Sequence, residues 1–138
     1  MTATALELVI TQLATVEAAI AGVAVAHDKT PESLGSLPAF INYPSSGEAL
    51  HEAGTSRELH TIIAEVFIGR GDQKVAESTA RPFINLFMDA IWADDTLAST
   101  CATVRGIRYR YGALPWPGVE GGYVGVRFEV DIKLQRVL

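Results

Sequence analysis

The last part of the chain alternates apolar and polar side chains. Over 123–134 the even positions are apolar and most odd positions are charged. Because successive side chains of a β-strand point to opposite faces, this pattern predicts a strand with one buried and one charged face. The segment 100–111 is predicted to be its antiparallel partner. A long strand whose outer face stays charged indicates a sheet that is open on one side.

The partner segment changes its parity. Its apolar residues stand at even positions as far as Val104 and at odd positions from Ile107 onwards. One extra residue at Arg105-Gly106, a β-bulge, would keep both sets on one face. The alternation then predicts inward Tyr109 and Tyr111, exposed Arg108 and Arg110, and a connection at 115–118.

Two stretches have a helical period. Apolar residues recur at alternating gaps of three and four over 4–21, which predicts a first helix. A second helix is predicted over 73–93, with a kink or break near Pro82, because proline removes a backbone hydrogen bond and clashes with the preceding turn. The candidate N-caps are Thr2 or Thr4 for the first helix and Asp72 for the second.

The middle of the chain predicts strands on both sides of a polar segment. Residues 39–43 are a short predicted strand closed by Pro44, and 58–68 are apolar on both faces, which is typical of a central strand. The polar segment between them reads as a hairpin tip or a mobile loop. The whole pattern predicts a single α+β domain over 1–138, in the order α-β-(β)-β-α-β-β. Its mostly antiparallel sheet has four to five strands, with two main helices packed on it.

Charge is unevenly distributed along the 138 residues. The net charge is −5, yet residues 101–138 hold six bases and three acids. An acidic body with a basic hairpin favours head-to-tail association between copies of the chain, because opposite patches steer encounter and fix register. Small charge clusters also arise by chance. The overall acidity argues against tight binding to DNA, which requires a basic surface.

The residues that could act in catalysis form no known catalytic pattern. The chain has neither the Lys-Ser/Thr of a P-loop nor a Gly-x-Ser-x-Gly elbow. No apolar window is long enough for a membrane span. We expect the single cysteine, Cys101, to be a small buried apolar residue. We expect His60 to be a core or edge histidine with a hydrogen-bond partner. We therefore expect no catalytic site, no cofactor and no metal.

Several short motifs follow one another along the chain. They are Thr-Pro-Glu-Ser-Leu at 30–34, Leu-Pro-Ala-Phe at 37–40, Ser-Arg at 56–57 with His-Thr-Ile at 60–62, Asp-Thr-Leu at 95–97, Ser-Thr-Cys at 99–101, Tyr-Arg-Tyr-Gly at 109–112 and Tyr-Val-Gly-Val at 123–126. In their order and spacing these motifs resemble tail terminator proteins of long-tailed bacteriophages (siphovirus or myovirus type). The resemblance covers about 5–134 and departs from the family at Ala98-Ser99, where a glycine is expected.

The resemblance implies a structural virion protein at the junction of tail and neck, assembled in the host cytoplasm. Such a protein forms a homohexameric ring on the last ring of the tail tube protein, stops tail growth and presents a surface to the head–tail connector or neck protein. Genomic DNA would pass through the ring without specific binding. Two alternatives are a head-completion or neck adaptor and a small dimeric α+β ligand-binding domain.

The polar segment and the charged face of the hairpin are the expected assembly surface. The segment is the candidate for contact with a neighbouring subunit or the tube, and the hairpin face mixes bases with acids. The candidate interface residues are Glu48, Leu50, His51, Glu52, Arg57, Arg108, Arg110, Arg127, Glu129, Asp131 and Lys133.

Overall fold

The structure is a computed structural model that describes residues 3–70 and 73–138. Two helices and five strands follow the chain with these bounds: α1 Ala5–Ala18, β1 Val25–His27, β2 Ala39–Glu52, β3 Thr55–Gly69, α2 Gln73–Ala93, β4 Thr103–Trp116 and β5 Val119–Val137. The predicted α+β class is confirmed. The sequence pattern does not predict β1, a three-residue strand that pairs in parallel with β2.

The five strands form one sheet in the order β1-β2-β3-β5-β4. Apart from the β1–β2 pair, every neighbouring pair is antiparallel. Strand β3 lies at the centre and is buried on both faces over 62–68, as its two-sided apolar pattern predicts. The predicted bulge is also confirmed, because the register between β4 and β5 shifts between Val104 and Gly106.

Both helices pack on one face of the sheet, which we call the helix side. The main core lies there and contains the even-numbered apolar residues of β3 and β5. The Phe87 ring of α2 stacks on Phe128 of β5 and Phe40 of β2, with ring centroids 4.1 and 5.7 Å apart. The alternation that predicts a buried face on β5 is therefore confirmed from Val126 to Leu134.

The helix ends agree only partly with the predictions. Thr4 caps α1, since its hydroxyl accepts a hydrogen bond from the Glu7 amide while the Glu7 carboxylate accepts one from the Thr4 amide. The predicted caps Thr2 and Asp72 lie outside the described residues. Of the kink or break predicted near Pro82, the break is wrong, because α2 continues through Pro82, while the kink stays a prediction. Beyond α2 the chain turns through three left-handed residues, Leu97, Ala98 and Ser99.

The opposite face of the sheet is covered at one end only. A second apolar cluster of Ile41, Phe67, Leu114 and Tyr123 lies there, with Leu34 and Leu37 of the preceding connection packed against it. The prediction that the odd positions of β5 are uncovered throughout is therefore wrong at Tyr123 and Gly125, which are both buried. We call the remaining uncovered part of this surface the open face.

Two further predictions fail at the sheet edges. Strand β2 does not end at Pro44 but continues to Glu52, because β1 covers only its first residues and a proline without an amide hydrogen is tolerated on an unpaired edge. Tyr109 and Tyr111 lie on the helix side as predicted, yet they are 51% and 37% exposed. Helix α2 packs mainly on β5 and therefore leaves the edge strand β4 partly uncovered.

Candidate functional site

The polar segment forms a β-hairpin that extends past the core. We call residues 44–57 the arm; its strands are the ends of β2 and β3, joined by a tight turn in which Ala53 and Gly54 have positive φ. All nine residues of β2 from Pro44 onwards are exposed. Two apolar side chains lie near the tip, Leu50 at 70% exposure and Val137 of β5 at 90%. The hairpin-tip interpretation of this segment is confirmed, and no loop lies between the strands.

A buried carboxylate joins the arm to the end of β5 on the helix side. Glu58 accepts hydrogen bonds from the Ser56 hydroxyl at 2.7 Å and from Arg136 Nε at 2.6 Å, and His60 Nε2 lies 2.8 Å from its other oxygen. Burial alone would raise the pKa of Glu58, but the hydrogen bonds from His60, Ser56 and Arg136 lower it to about 2. The cluster gives His60 the predicted partner and fixes the base of the arm.

Two bulges at one level of the sheet shape the open face. Ser45 of β2 and Arg105 of β4 are each the extra residue of a register shift. Both lie beside the same cross-strand row, which runs from Ser46 through Thr61 and Asp131 to Gly106. A bulge bends its strand and increases the local twist. A groove of about 520 Å³ lies at this row, and a neighbouring concavity of about 310 Å³ continues it towards the arm.

A network of charged hydrogen bonds forms one end of the groove. Arg108 Nε donates to Glu129 at 2.9 Å, its terminal nitrogens donate to Asp131, and the Thr61 hydroxyl donates to Asp131 at 2.7 Å. Burial would raise the pKa of Asp131, but the hydrogen bonds from Arg108 and Thr61 and the nearby charge of Arg105 lower it. Asp131 is therefore an anion whose charge is already balanced by Arg108.

The open face carries most of the basic side chains. Six of the eleven bases and five of the sixteen acids point to this side of the sheet, the fifth acid being the buried Glu65 opposite Arg127. Arg110 lies directly opposite Arg127, an arrangement of like charges that destabilises a sheet unless an anion is near. Within the described residues four of these bases form no ion pair, namely Arg105, Arg110, Arg127 and Lys133. This side of the sheet therefore has a small excess of bases, whereas the rest of the chain is strongly acidic.

Most predicted interface residues come together on this face. The register places there Glu48, Leu50, Glu52, Arg57, Arg108, Arg110, Arg127, Glu129, Asp131 and Lys133. His51 does not join them, because it pairs with Ser56 and points to the helix side. The sequence-based candidates omit Arg105 and Leu59, which line the groove. The parity change that predicts the bulge is the signal that identifies Arg105 as well.

A buried polar pair lies away from the open face, between α1 and β2. Asn42 donates from Nδ2 to Glu17 Oε1 at 2.6 Å and to the His27 carbonyl at 2.9 Å. Both side chains are fully buried, and Glu17 Oε2 and Asn42 Oδ1 have no partner among the described residues. Burial raises the pKa of Glu17 well above its ordinary value, against the effect of the Asn42 hydrogen bond. Burial of Glu17 therefore favours its protonated form.

Comparison with known proteins gives no relative, since no family model and no curated protein matches the chain. In the described ranges, no three histidine, cysteine or acidic side chains come together in a way that could hold a metal ion. No helix in the described part of the chain is long and apolar enough to cross a membrane. The geometry of the arm and the open face is therefore the basis for a functional assignment.

Proposed function

We propose that the chain is a structural phage protein, a tail terminator that forms a hexameric ring on the tail tube, ends elongation and joins tail to head. The observation that carries the proposal is the arm, which presents nine consecutive exposed residues of β2. Exposed apolar side chains at the end of a rigid projection, such as Leu50, favour contact with another protein.

The rigidity of the arm supports this proposal. The buried Glu58 cluster ties the base of the hairpin to β5, so the arm has a fixed direction. A preformed projection loses less conformational entropy on binding than a mobile loop does. The partners of this surface are further copies of the chain, the tail tube protein and the neck protein. Genomic DNA passes through the ring without specific binding, as the acidic balance of the chain favours.

A test compares two exposed apolar residues. The wild-type chain is incubated with purified tail tubes, and electron microscopy counts tube ends that carry a six-fold cap. We expect Leu50→Asp, at the arm tip, to lose most caps, because a charge at this contact would be desolvated. Val75→Asp is the matched control, since Val75 is 64% exposed on α2, and it should cap as the wild type does. Wild-type protein that never caps tubes would contradict the proposal.

The groove favours a second candidate function, a small dimeric ligand-binding domain. It measures about 520 Å³ and brings polar groups of Thr61, Arg105 and Asp131 to one place beside Leu59. This function predicts a stable dimer in solution and a rise in melting temperature with a small anion.

A neck adaptor instead predicts binding to the connector ring and no binding to tail tubes.

A further inference from the structure

An exposed aromatic residue lies at the end of α2, on the helix side of the sheet. Trp92 is 47% exposed, and exposed acids stand three positions before and after it, at Asp89 and Asp95. Residues three apart lie on one side of a helix, so Asp89 lies beside Trp92. Neither acid forms an ion pair with a described residue. We call Asp89, Trp92 and Asp95 the knob.

Asp94 has a different role from its neighbours. Its carboxylate accepts a hydrogen bond from the Ala98 amide at 2.9 Å and holds the left-handed turn that follows α2. That bond keeps Asp94 within its own turn, while Asp89 and Asp95 are left to face solvent. The knob therefore combines the Trp92 side chain with Asp89 beside it on α2 and with Asp95 in the turn that follows the helix, and neither acid forms an ion pair with a described residue.

The groove on the open face has the opposite character. The groove and its neighbouring concavity are lined by the apolar side chains of Leu50 and Leu59 and by three bases, Arg57, Arg105 and Lys133, which we call the groove wall. Three acids also line them: the exposed Glu48, and Glu58 and Asp131, whose charges are paired with Arg136 and Arg108. Arg105 and Lys133 form no described ion pair, and Arg57 has only an exposed contact of 3.5 Å with Glu52. Such a surface is complementary to an apolar ring that has carboxylates beside it.

We propose that the knob of one copy docks into the groove of the next copy. This contact rests on the proposed ring and names its interface. Trp92 lies against Leu50 and Leu59, while Asp89 and Asp95 meet the bases of the groove wall. Tryptophan at the centre of a charged rim is a frequent anchor of protein interfaces.

The positions of the two surfaces decide the symmetry of the contact. The groove lies on the open face and the knob lies on the helix side, so they occupy opposite sides of one sheet. Two copies joined by one such contact still have one unused knob and one unused groove. A contact of this heterologous kind continues from copy to copy, and it closes into a ring when the rotation between neighbouring copies divides a full turn.

The experiment uses sedimentation equilibrium of the full chain and two variants with opposite defects. Trp92→Ala removes the knob, and Arg105→Glu reverses a charge in the groove wall. Each variant alone should associate at least about 30-fold more weakly than the wild type. Mixed together they should form a one-to-one pair and nothing larger, because one supplies the groove and the other the knob. Association of Trp92→Ala at wild-type strength, or a mixture that stays monomeric, would overturn the contact.

Two further variants test whether a substitution weakens association only by disturbing the fold. Leu86→Ala is the matched control, because Leu86 is also half-exposed on α2 but points to another side of the helix, and it should associate as the wild type does. Asp95→Lys repeats the test at an exposed position if Trp92→Ala lowers the melting temperature. Wild-type protein that stays monomeric at its highest soluble concentration overturns the contact. If Trp92→Ala and Asp95→Lys both still form rings, the proposed contact is wrong, but the proposed tail function is not contradicted.

Discussion

Replacing Glu58 by glutamine should destabilise the fold at neutral pH and much less in acid. The Glu58 carboxylate is only 7% exposed and is bound by Ser56, His60 and Arg136. Glutamine keeps the size of the side chain but lacks the negative charge that strengthens these bonds. It also leaves one acceptor position occupied by an amide group that only donates.

The size of the expected destabilisation follows from the lowered pKa of Glu58. The pKa of Glu58 is lowered from its ordinary value of 4.5 to about 2. Because each pKa unit corresponds to 1.36 kcal/mol, the ionised carboxylate stabilises the fold by about 3 kcal/mol at pH 7. This is an upper limit, because Arg136 is 45% exposed and water screens its charge. A lowered pKa means that the contribution is present above the pKa of the unfolded chain and is lost as pH falls from about 5 towards 2. By pH 3 roughly half of it is gone.

Urea unfolding at pH 7, 5 and 3 measures this loss. The free energy of unfolding of Glu58→Gln should lie up to about 3 kcal/mol below the wild type at pH 7, and the gap should narrow steadily towards pH 3. Glu48→Gln is the matched control, since Glu48 is an exposed acid on the arm, and its effect should stay below about 0.5 kcal/mol. A gap that is constant over this range, or that is absent at pH 7, would refute the electrostatic account.

Two other substitutions test the core. Burial raises the pKa of Glu17, so the wild type loses stability as pH rises above the pKa of this group in the unfolded chain. Glu17→Gln should therefore unfold at higher urea than the wild type at pH 8 but not at pH 4, and equal midpoints at both pH values would contradict the raised pKa. Phe87→Ala should lower the free energy of unfolding by about 3–5 kcal/mol, because it removes the ring stacked on Phe128, while Leu86→Ala should cost far less.

Periodicity predicts the elements whose burial is regular. Both helices, the central strand and the final hairpin are readable because one face of each meets the main core over most of its length. Strand β1 is too short to show a period, and Pro44 followed by polar residues hides the second half of β2. That half has no buried face, so the hydrophobic pattern carries no information about it.

Exposure at the sheet edges depends on contacts that are distant in sequence. The half-exposed Tyr109 follows from the position of α2 over β5, and the buried Tyr123 from the segment around Leu34 that crosses the other face. Alternation assigns each side chain to a face correctly in both cases. Whether that face is covered is decided by where other elements pack, which a local pattern does not contain.

The groove depends on register rather than on any one segment. Without the bulge at Ser45, regular alternation would place Glu48 and Leu50 on the helix side, away from Lys133. The bulge at Arg105 is visible in the sequence, because apolar residues on both sides of it change parity. The residues around Ser45 are polar, so their parity cannot be read. The two bulges meet at one row only through the pairing of four strands, and this is why the groove lining is partly hidden in the sequence.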